Sequence, residues 1–323
     1  MRQPRLTVIS IVCSAVVAAC GGGGTPEGDF DASTDLDADA DTDTDSDADT
    51  DSDVDAGEDA GGDAGVPMTP GDYGDPTQLV WAQFDGGTFL QGSESTVGPA
   101  VYAETPAHEV TVPTFEMMKT EVTTSQYAQC VLVEVCEEPM VAHGDTIAKN
   151  CNWLVWGRDA HPVNCLNVYE ASSYCAWLGA RLPSESEWEY AARSRGQDNE
   201  YPWGDAEPNC DLAVMDMDTP FEEPGCGLGH TWPVCSKPLG NTEQGLCDMA
   251  GNVKEWVADC WHGSYYGAPT DGSAWVTSPC DDNVLRGAYY KAPFYGLRTR
   301  LRAYNPSSGR SDAFGFRCAR SLE

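Results

Sequence analysis

Residues 180–193 read ARLPSESEWEYAAR, and this stretch predicts a short helix with one buried face. Ser184 and Glu187 have the spacing of a capping box, in which each side chain accepts a hydrogen bond from the other residue's backbone N–H. Three apolar side chains then share one side of the helix: Trp188, Ala191 and Ala192. A polar start and an apolar stripe at this spacing favour a helix that packs into a core.

The same capping device occurs earlier in the chain. Asn167 and Glu170 again stand three positions apart, and a helical stripe follows them, made of Ala171, Tyr174, Cys175 and Leu178. A further helix is predicted from Thr124 to Val133. The sequence therefore predicts a small number of helices, each with a defined start.

Short strands are predicted around these helices, because apolar and polar residues alternate. Val110 and Val112 alternate with polar neighbours and predict a half-buried strand. Two runs near the C-terminus alternate in the same way: Arg298, Arg300 and Arg302, then Phe314, Phe316 and Cys318. With 33 Gly among its 323 residues, the chain should form a loop-rich globule.

The formal net charge of −34 is concentrated before the predicted helices. Residues 21–75 contain no Lys or Arg, and Asp occupies every odd position from Asp35 to Asp55. Such a tract repels itself and cannot bury apolar surface, which predicts a disordered spacer, with loose calcium binding as the alternative. The remaining chain is also acidic, which excludes nucleic acid as a partner, because phosphate binding needs Lys and Arg.

The first residues have the pattern of an export signal. Arg2 and Arg5 precede a mostly apolar run, so residues 1–19 are predicted to be a signal peptide. The ending Val17-Ala18-Ala19-Cys20 resembles the bacterial lipobox, which implies that Cys20 is lipidated and attaches the protein to a membrane. An ordinary cleaved signal with a chance cysteine is the alternative. Residues 20–75 then form a lipidated Gly/Asp-rich spacer, and the absence of an Asp after Cys20 favours the outer membrane of the cell envelope.

Twelve cysteines remain after Cys13 and Cys20 are set aside. An even number behind an export signal predicts disulfides. A structural zinc site is the alternative, but it needs C-x-x-C pairs or histidines at ligand spacing, and the five histidines are scattered. The cysteines therefore predict a disulfide-rich domain.

A set of motifs in fixed order resembles the formylglycine-generating enzyme family, also called the sulfatase-modifying factor domain. The motifs are Gly86-Gly87-Thr88-Phe89, Thr120-Glu121-Val122-Thr123, His161-Pro162-Val163, residues 180–193, Pro202-Trp203-Gly204-Asp205, Gly251-Asn252-Val253-Lys254-Glu255-Trp256, Leu285-Arg286-Gly287 and Gly315-Phe316-Arg317. The resemblance covers residues 78–321, within a domain predicted at 76–323. It implies an irregular α+β fold of the C-type-lectin-like kind, with bound calcium in several members.

The family's oxidase uses two cysteines that bind Cu(I), and this chain lacks them. By resemblance they would lie six and eleven residues after Arg286, at Ala292 and Leu297, and no Cys occurs from Asp281 to Arg317. Monovalent copper is soft and needs thiolate ligands, which Ala and Leu cannot supply. No copper is therefore expected, and the domain is interpreted as a non-catalytic binding or structural module.

The resemblance also implies two structural features. One is a disulfide between Cys175 and Cys318. The other is a Ca²⁺ loop with ligands at Asp248, Gly251, Val253 and Glu255, for which a hydrogen-bonded turn without metal is the alternative. A second family calcium site lacks its expected Asp, which suggests a Cys210–Cys226 bridge in its place. Four other bridges are predicted only from sequence neighbourhood: Cys130–Cys136, Cys151–Cys165, Cys235–Cys247 and Cys260–Cys280.

A basic segment between Arg286 and Arg320 would line the family's substrate groove. We predict that this segment forms a groove for an anionic ligand, a peptide, another protein or a glycan. The residues predicted to line the groove are Arg286, Tyr289, Arg298, Arg300 and Arg302. Pairing of these arginines with the domain's own carboxylates is the alternative. A formylglycine-generating oxidase or another protein-modifying enzyme, and an architectural spacer, stay open beside the binding module.

Overall fold

The computed structural model describes residues 78–94, 102–139, 150–220 and 222–322. The predicted signal peptide, Cys20 and the acidic spacer lie outside these ranges. No helix within the ranges is both long enough and apolar enough to span a bilayer.

The described ranges contain nine short strands in three small sheets. Their bounds are β1 Trp81–Phe84, β2 Gly87–Gln91, β3 His108–Val112, β4 Phe115–Met118, β5 Lys254–Cys260, β6 Asp282–Arg286, β7 Arg302–Pro306, β8 Phe314–Gly315 and β9 Ala319–Ser321. The sheets have the orders β1-β4-β9, β2-β3 and β7-β6-β5-β8. Only the pair of β5 with β8 is parallel among these strands. The architecture is therefore α+β with mostly antiparallel pairing.

Three α-helices lie entirely within the described ranges: α1 Thr124–Leu132, α2 Val168–Trp177 and α3 Glu185–Ala192. Both predicted capping boxes are confirmed. Asn167 and Glu170 exchange hydrogen bonds at the start of α2, and Ser184 and Glu187 do so at the start of α3. Thr123 with Gln126 forms a third box before α1. Each helix thus begins where its side chains satisfy otherwise unpaired N–H groups.

The predicted strand through Arg298, Arg300 and Arg302 is wrong in its first half. β7 begins only at Arg302, and the N–H of Leu301 donates to the carbonyl of Arg298 in a turn. The turn allows the side chains of Arg298 and Arg300 to reach carboxylates in loops on the same side, Glu104 and Asp198. The alternation of arginine with less polar residues at 298–301 therefore corresponds to a turn and not to a strand.

The core is built on large aromatic side chains. Trp188 of α3 and Trp256 of β5 are fully buried. Trp188 donates through Nε1 to Glu255, and Trp256 donates through Nε1 to the carbonyl of Leu166. Burial of such side chains is strongly favourable, and each ring here also satisfies its polar atom. The α3 helix packs against β2, β3, β5 and β6, so it lies at the centre of the domain.

A buried ion-pair network joins α3 to the C-terminal sheet. Glu185 accepts from Nε of Arg302 at 2.7 Å and from Nη1 of Arg286 at 3.2 Å, and Glu189 accepts from Nη2 of Arg286 at 2.7 Å. Burial alone would raise the pKa of Glu185, but Arg302 and Arg286 outweigh it and hold that pKa below its ordinary value. The network therefore keeps four buried charges compensated.

Six disulfides close the loops between these elements. The pairs are Cys130–Cys136, Cys151–Cys165, Cys175–Cys318, Cys210–Cys226, Cys235–Cys247 and Cys260–Cys280. They are the pairs named from the sequence. Only Cys175–Cys318 joins distant parts of the described chain, with a sequence separation of 143, and it ties α2 to the segment before β9.

The network makes a prediction about stability. Glu185→Gln removes a charge that two buried guanidinium groups share, and breaking a buried pair costs about 3 to 5 kcal/mol. Glu116→Gln is the matched control, because Glu116 pairs with Arg320, whose side chain is 43% exposed, and such surface pairs are worth about 1 kcal/mol or less. Urea unfolding of both variants measures the difference. Equal losses would contradict a special role for the network.

Candidate functional site

The positions that the resemblance assigns to the copper-binding thiols lie inside an apolar cluster. Ala292 and Leu297 are 6% and 1% exposed. They flank a single 3-10 turn, Phe294–Gly296, and pack with Ala213, Met215, Ala250 and Ala288. Methyl and isobutyl groups at these two positions make a continuous apolar contact. This site therefore has neither the ligands nor the polarity that a copper centre needs.

Free thiols are also absent from the rest of the described chain. Each of the twelve cysteines in the described ranges is bonded to another cysteine. A disulfide sulfur carries no thiolate charge, so none of these residues can act as a nucleophile or a Cu(I) ligand while its bridge is intact.

An open cleft borders the apolar cluster. It has a volume of about 320 Å³, and its walls include Pro208, Met215, Met217 and Phe294. Phe294 is 51% exposed and Met217 is 44% exposed, so the cleft offers apolar side chains to a ligand. Beside the cluster lies Tyr289, half-buried, with Nζ of Lys254 5.1 Å from its ring centre. Glu207 and Asn209 also line the cleft, so it can bind a partly apolar ligand.

Two members of the predicted arginine groove are not available to a ligand, which corrects the sequence interpretation. Arg286 and Arg302 have side chains that are 0% exposed, and both pair with carboxylates of α3. The guanidinium of Arg302 also stacks over Tyr265 at 4.0 Å. The side chains turn inward because β6 and β7 face α3. For these two residues the alternative interpretation, internal ion pairing, is the right one.

The other two arginines line a polar cavity of about 700 Å³ together with Arg193. Arg298 makes a bidentate ion pair with the buried Glu104, at 2.7 and 3.0 Å. Arg300 pairs with Asp198 and Glu200. Arg193 is the last residue of the motif at 180–193, and Asp198 follows it. No local pattern relates these two residues to Arg298 and Arg300, which lie about a hundred positions later. The cavity brings this motif residue together with Leu90 of β2 and with loop residues.

The predicted calcium loop has a mixed fit to a cation. Glu255 accepts from Arg317 through both carboxylate oxygens, at 2.7 and 2.8 Å, and also from Nε1 of Trp188. A calcium ion bound through Glu255 would therefore compete with a guanidinium group. Asp248 is buried and accepts from the backbone N–H of Cys235 at 2.6 Å. No three carboxylate, histidine or cysteine side chains in the described ranges stand in an arrangement that would hold a metal.

A neighbouring carboxylate was missed from the sequence. Glu121 is fully buried, and its Oε1 has no hydrogen-bond partner. Burial and the nearby Asp248 raise the pKa of Glu121 well above its ordinary value, and burial raises the pKa of Asp248 to about 6. Glu121, Asp248 and Glu255 face a single guanidinium, that of Arg317. Hard oxygen donors with excess negative charge are chemically suited to calcium, so the ion stays a prediction for this loop.

This fold and this motif set define a class of proteins. The sulfatase-modifying factor enzyme 1-like domain matches residues 75–322. The chain belongs to this family, and its α+β, disulfide-rich, C-type-lectin-like fold is the one that the sequence predicts.

Relatives in the family have divergent names. A serine/threonine-protein kinase Pkn1 of Chlamydia trachomatis is 32% identical over 76% of this chain, and the match spans only 39% of that relative. The formylglycine-generating enzyme of Mycobacterium tuberculosis is 30% identical over 75% of this chain and 97% of its own length. The mouse inactive C-alpha-formylglycine-generating enzyme 2 is 29% identical over 73% of this chain and 84% of its own length.

Solved structures lead to the same fold. The structure of PvdO from Pseudomonas aeruginosa superimposes with a TM-score of 0.63 and 30% sequence identity, and the match covers 77% of this chain and 99% of PvdO. The similarity therefore extends over nearly the whole described domain.

The predicted calcium loop at Asp248, Gly251, Val253 and Glu255 leads to a prediction about metal binding. Calcium at a hundredfold excess over its Kd would stabilise the native state by about 2.7 kcal/mol, because it binds the folded loop and not the unfolded chain. We expect the Tm to rise with Ca²⁺ more than with Mg²⁺, and Asp248→Asn to remove the rise. The exposed Asp211→Asn is the control. An unchanged Tm with Ca²⁺ would show that the turn alone, without metal, satisfies these carboxylates.

Proposed function

We propose that this protein is a lipoprotein of the cell envelope whose sulfatase-modifying factor domain is a non-catalytic binding module. The observation that carries the proposal is the apolar packing of Ala292 and Leu297, where the family's oxidase would need two thiolates. Copper-dependent oxidation requires a soft ligand pair and a site open to oxygen and substrate. Neither requirement is met by two nearly inaccessible hydrocarbon side chains.

Loss of the reaction leaves a rigid scaffold with functional surfaces. The buried ion pairs and six disulfides fix the loops, and loops on a rigid scaffold are the usual place for recognition. A mouse relative in this family is named an inactive C-alpha-formylglycine-generating enzyme, which supports the proposal. We therefore expect a saturable ligand, a protein, peptide or glycan, where a purely architectural spacer would have none.

The N-terminal sequence supports the envelope location. Residues 1–19 and Cys20 have the pattern of a lipoprotein signal, and the acidic stretch that follows is long enough to hold the domain away from a membrane. A chain extended over residues 20–75 would cover at most about 3.3 to 3.6 Å per residue. We expect such an anchor to keep the domain near a membrane surface.

The first prediction from this function is a lack of oxidase activity. We expect that the full chain with intact disulfides, incubated with Cu(I) and oxygen, does not change the mass of a Cys-x-Pro-x-Arg peptide. The reason is that no thiolate pair is present to bind copper. The Mycobacterium tuberculosis relative serves as the positive control. The double variant Ala292→Cys with Leu297→Cys should gain Cu(I) binding through the two new thiols, and its six native disulfides should stay intact. Turnover by the unmodified chain would overturn the non-catalytic proposal and favour an enzyme.

The second prediction concerns the anchor. Cys20→Ser removes the thiol that would carry the lipid, so the protein should move from the membrane fraction to the soluble fraction of a producing bacterium. Cys13→Ser is the matched control, since Cys13 lies within the predicted signal peptide. Metabolic labelling with a fatty acid should mark the unchanged chain and Cys13→Ser alone. Membrane association that survives Cys20→Ser would contradict the lipid anchor.

A further inference from the structure

The polar cavity beside the end of β2 contains a preformed pair of guanidinium groups. Its lining includes Leu90, Ala107, Arg193, Arg298 and Arg300, and its volume of about 700 Å³ is in the range of small-molecule sites. The apolar cluster at Ala292 and Leu297 takes no part in this lining. The cavity is therefore separate from the position of the family's copper chemistry.

Arg193 is held rigidly at the cavity wall. Its residue is 2% exposed, its Nε donates to the carbonyl of Gln197 at 2.8 Å, and its Nη1 donates to the carbonyl of Leu90 at 2.7 Å. Nη1 also pairs with Glu189 at 3.0 Å. Only Nη2 is directed to a solvent-exposed partner, Asp198, at 3.6 Å. One edge of the guanidinium is thus fixed by the fold and the other is directed outward.

Arg300 is the second member of the pair. Its side chain is 13% exposed, and Nη1 donates to the carbonyl of Asn199 at 3.3 Å and to Glu200 at 3.5 Å. Its Nη2 donates to Oδ1 of Asp198, the same oxygen that faces Arg193. Two guanidinium groups on different loops therefore converge on one carboxylate oxygen.

The carboxylate between them is weakly held. The side chain of Asp198 is 94% exposed, so water and salt screen its ion pairs and they contribute little to stability. The two arginines keep their buried contacts when Asp198 rotates away. Asp198 consequently occupies a place that another oxyanion can take with little cost to the fold.

We propose that this cavity binds a ligand through one carboxylate or phosphate group, which replaces Asp198 between Arg193 and Arg300. This inference rests on the proposed binding function. The rest of the ligand lies in the cavity, where Leu90 and Ala107 offer apolar contact. Paired N–H groups of guanidinium match the two oxygens of such a group.

The remaining charges narrow the ligand class. Glu94 and Glu200 also line the cavity, and Glu104 lies behind Arg298. These carboxylates repel polyanions, so the cavity selects a ligand that has one carboxylate or one phosphate group on an otherwise neutral or partly apolar molecule. A free amino-acid derivative or the C-terminal carboxylate of a peptide has this chemistry.

The test uses the full chain and two probes, N-acetyl-leucine and inorganic phosphate, with binding measured by isothermal titration calorimetry. Asp198→Asn removes the internal competitor and should tighten binding by up to about fivefold, which is the equivalent of about 1 kcal/mol. Arg300→Gln should abolish binding. Asp211→Asn, exposed and outside the cavity lining, should change nothing. Circular dichroism and Tm show that each variant is folded.

The probes decide the source of the oxyanion. Binding of N-acetyl-leucine with the expected variant pattern assigns a carboxylate ligand, and the same pattern with phosphate assigns a phosphate ligand. Equal binding of N-acetyl-leucinamide, which has no charge, would overturn the proposal. The proposal would also be overturned if neither N-acetyl-leucine nor phosphate bound to the Asp198→Asn variant. Neither result would alter the outcome of the peptide oxidation assay, so the two proposals fail separately.

Discussion

The structure depends on two carboxylates that one face of α3 carries into the core. Glu185 and Glu189 compensate the buried charges of Arg286 and Arg302, which come from β6 and β7. A buried arginine without such a partner is strongly unfavourable. Because α3 also packs against β2 and β3, it joins the N-terminal and C-terminal sheets. The helix therefore holds together the two parts of the domain that line the polar cavity.

The same arginine-rich segment is used in two different ways. Arg286 and Arg302 lie in strands and turn inward to α3. Arg298 and Arg300 lie in the turn between these strands and pair with the buried Glu104 and the exposed Asp198. The segment therefore contributes to stability at its ends and to a solvent-accessible cavity in its middle. Leu297 belongs to the buried apolar cluster, and the next residue along the chain, Arg298, lines the charged cavity.

Local features of this fold could be predicted from the sequence, and distant contacts could not. The capping boxes were predictable because Ser184 and Glu187 interact over three positions and need no other part of the chain. The order of the motifs indicated the family. Glu121 and Asp248 are 127 positions apart, and nothing in either local sequence shows that both are buried together. Arg300 was misplaced in a strand because a turn produced the same alternation.

The sequence separation of the paired cysteines determines the order in which the six disulfides can form during synthesis. In five of the six bridges the partners are at most 20 positions apart, so both are available soon after one another as the chain is made. Cys175 must wait for Cys318, which precedes the last strand. Until then its thiol stays exposed to exchange with other cysteines. A wrong pairing of Cys175 before this last bridge forms can be reversed only by thiol–disulfide exchange.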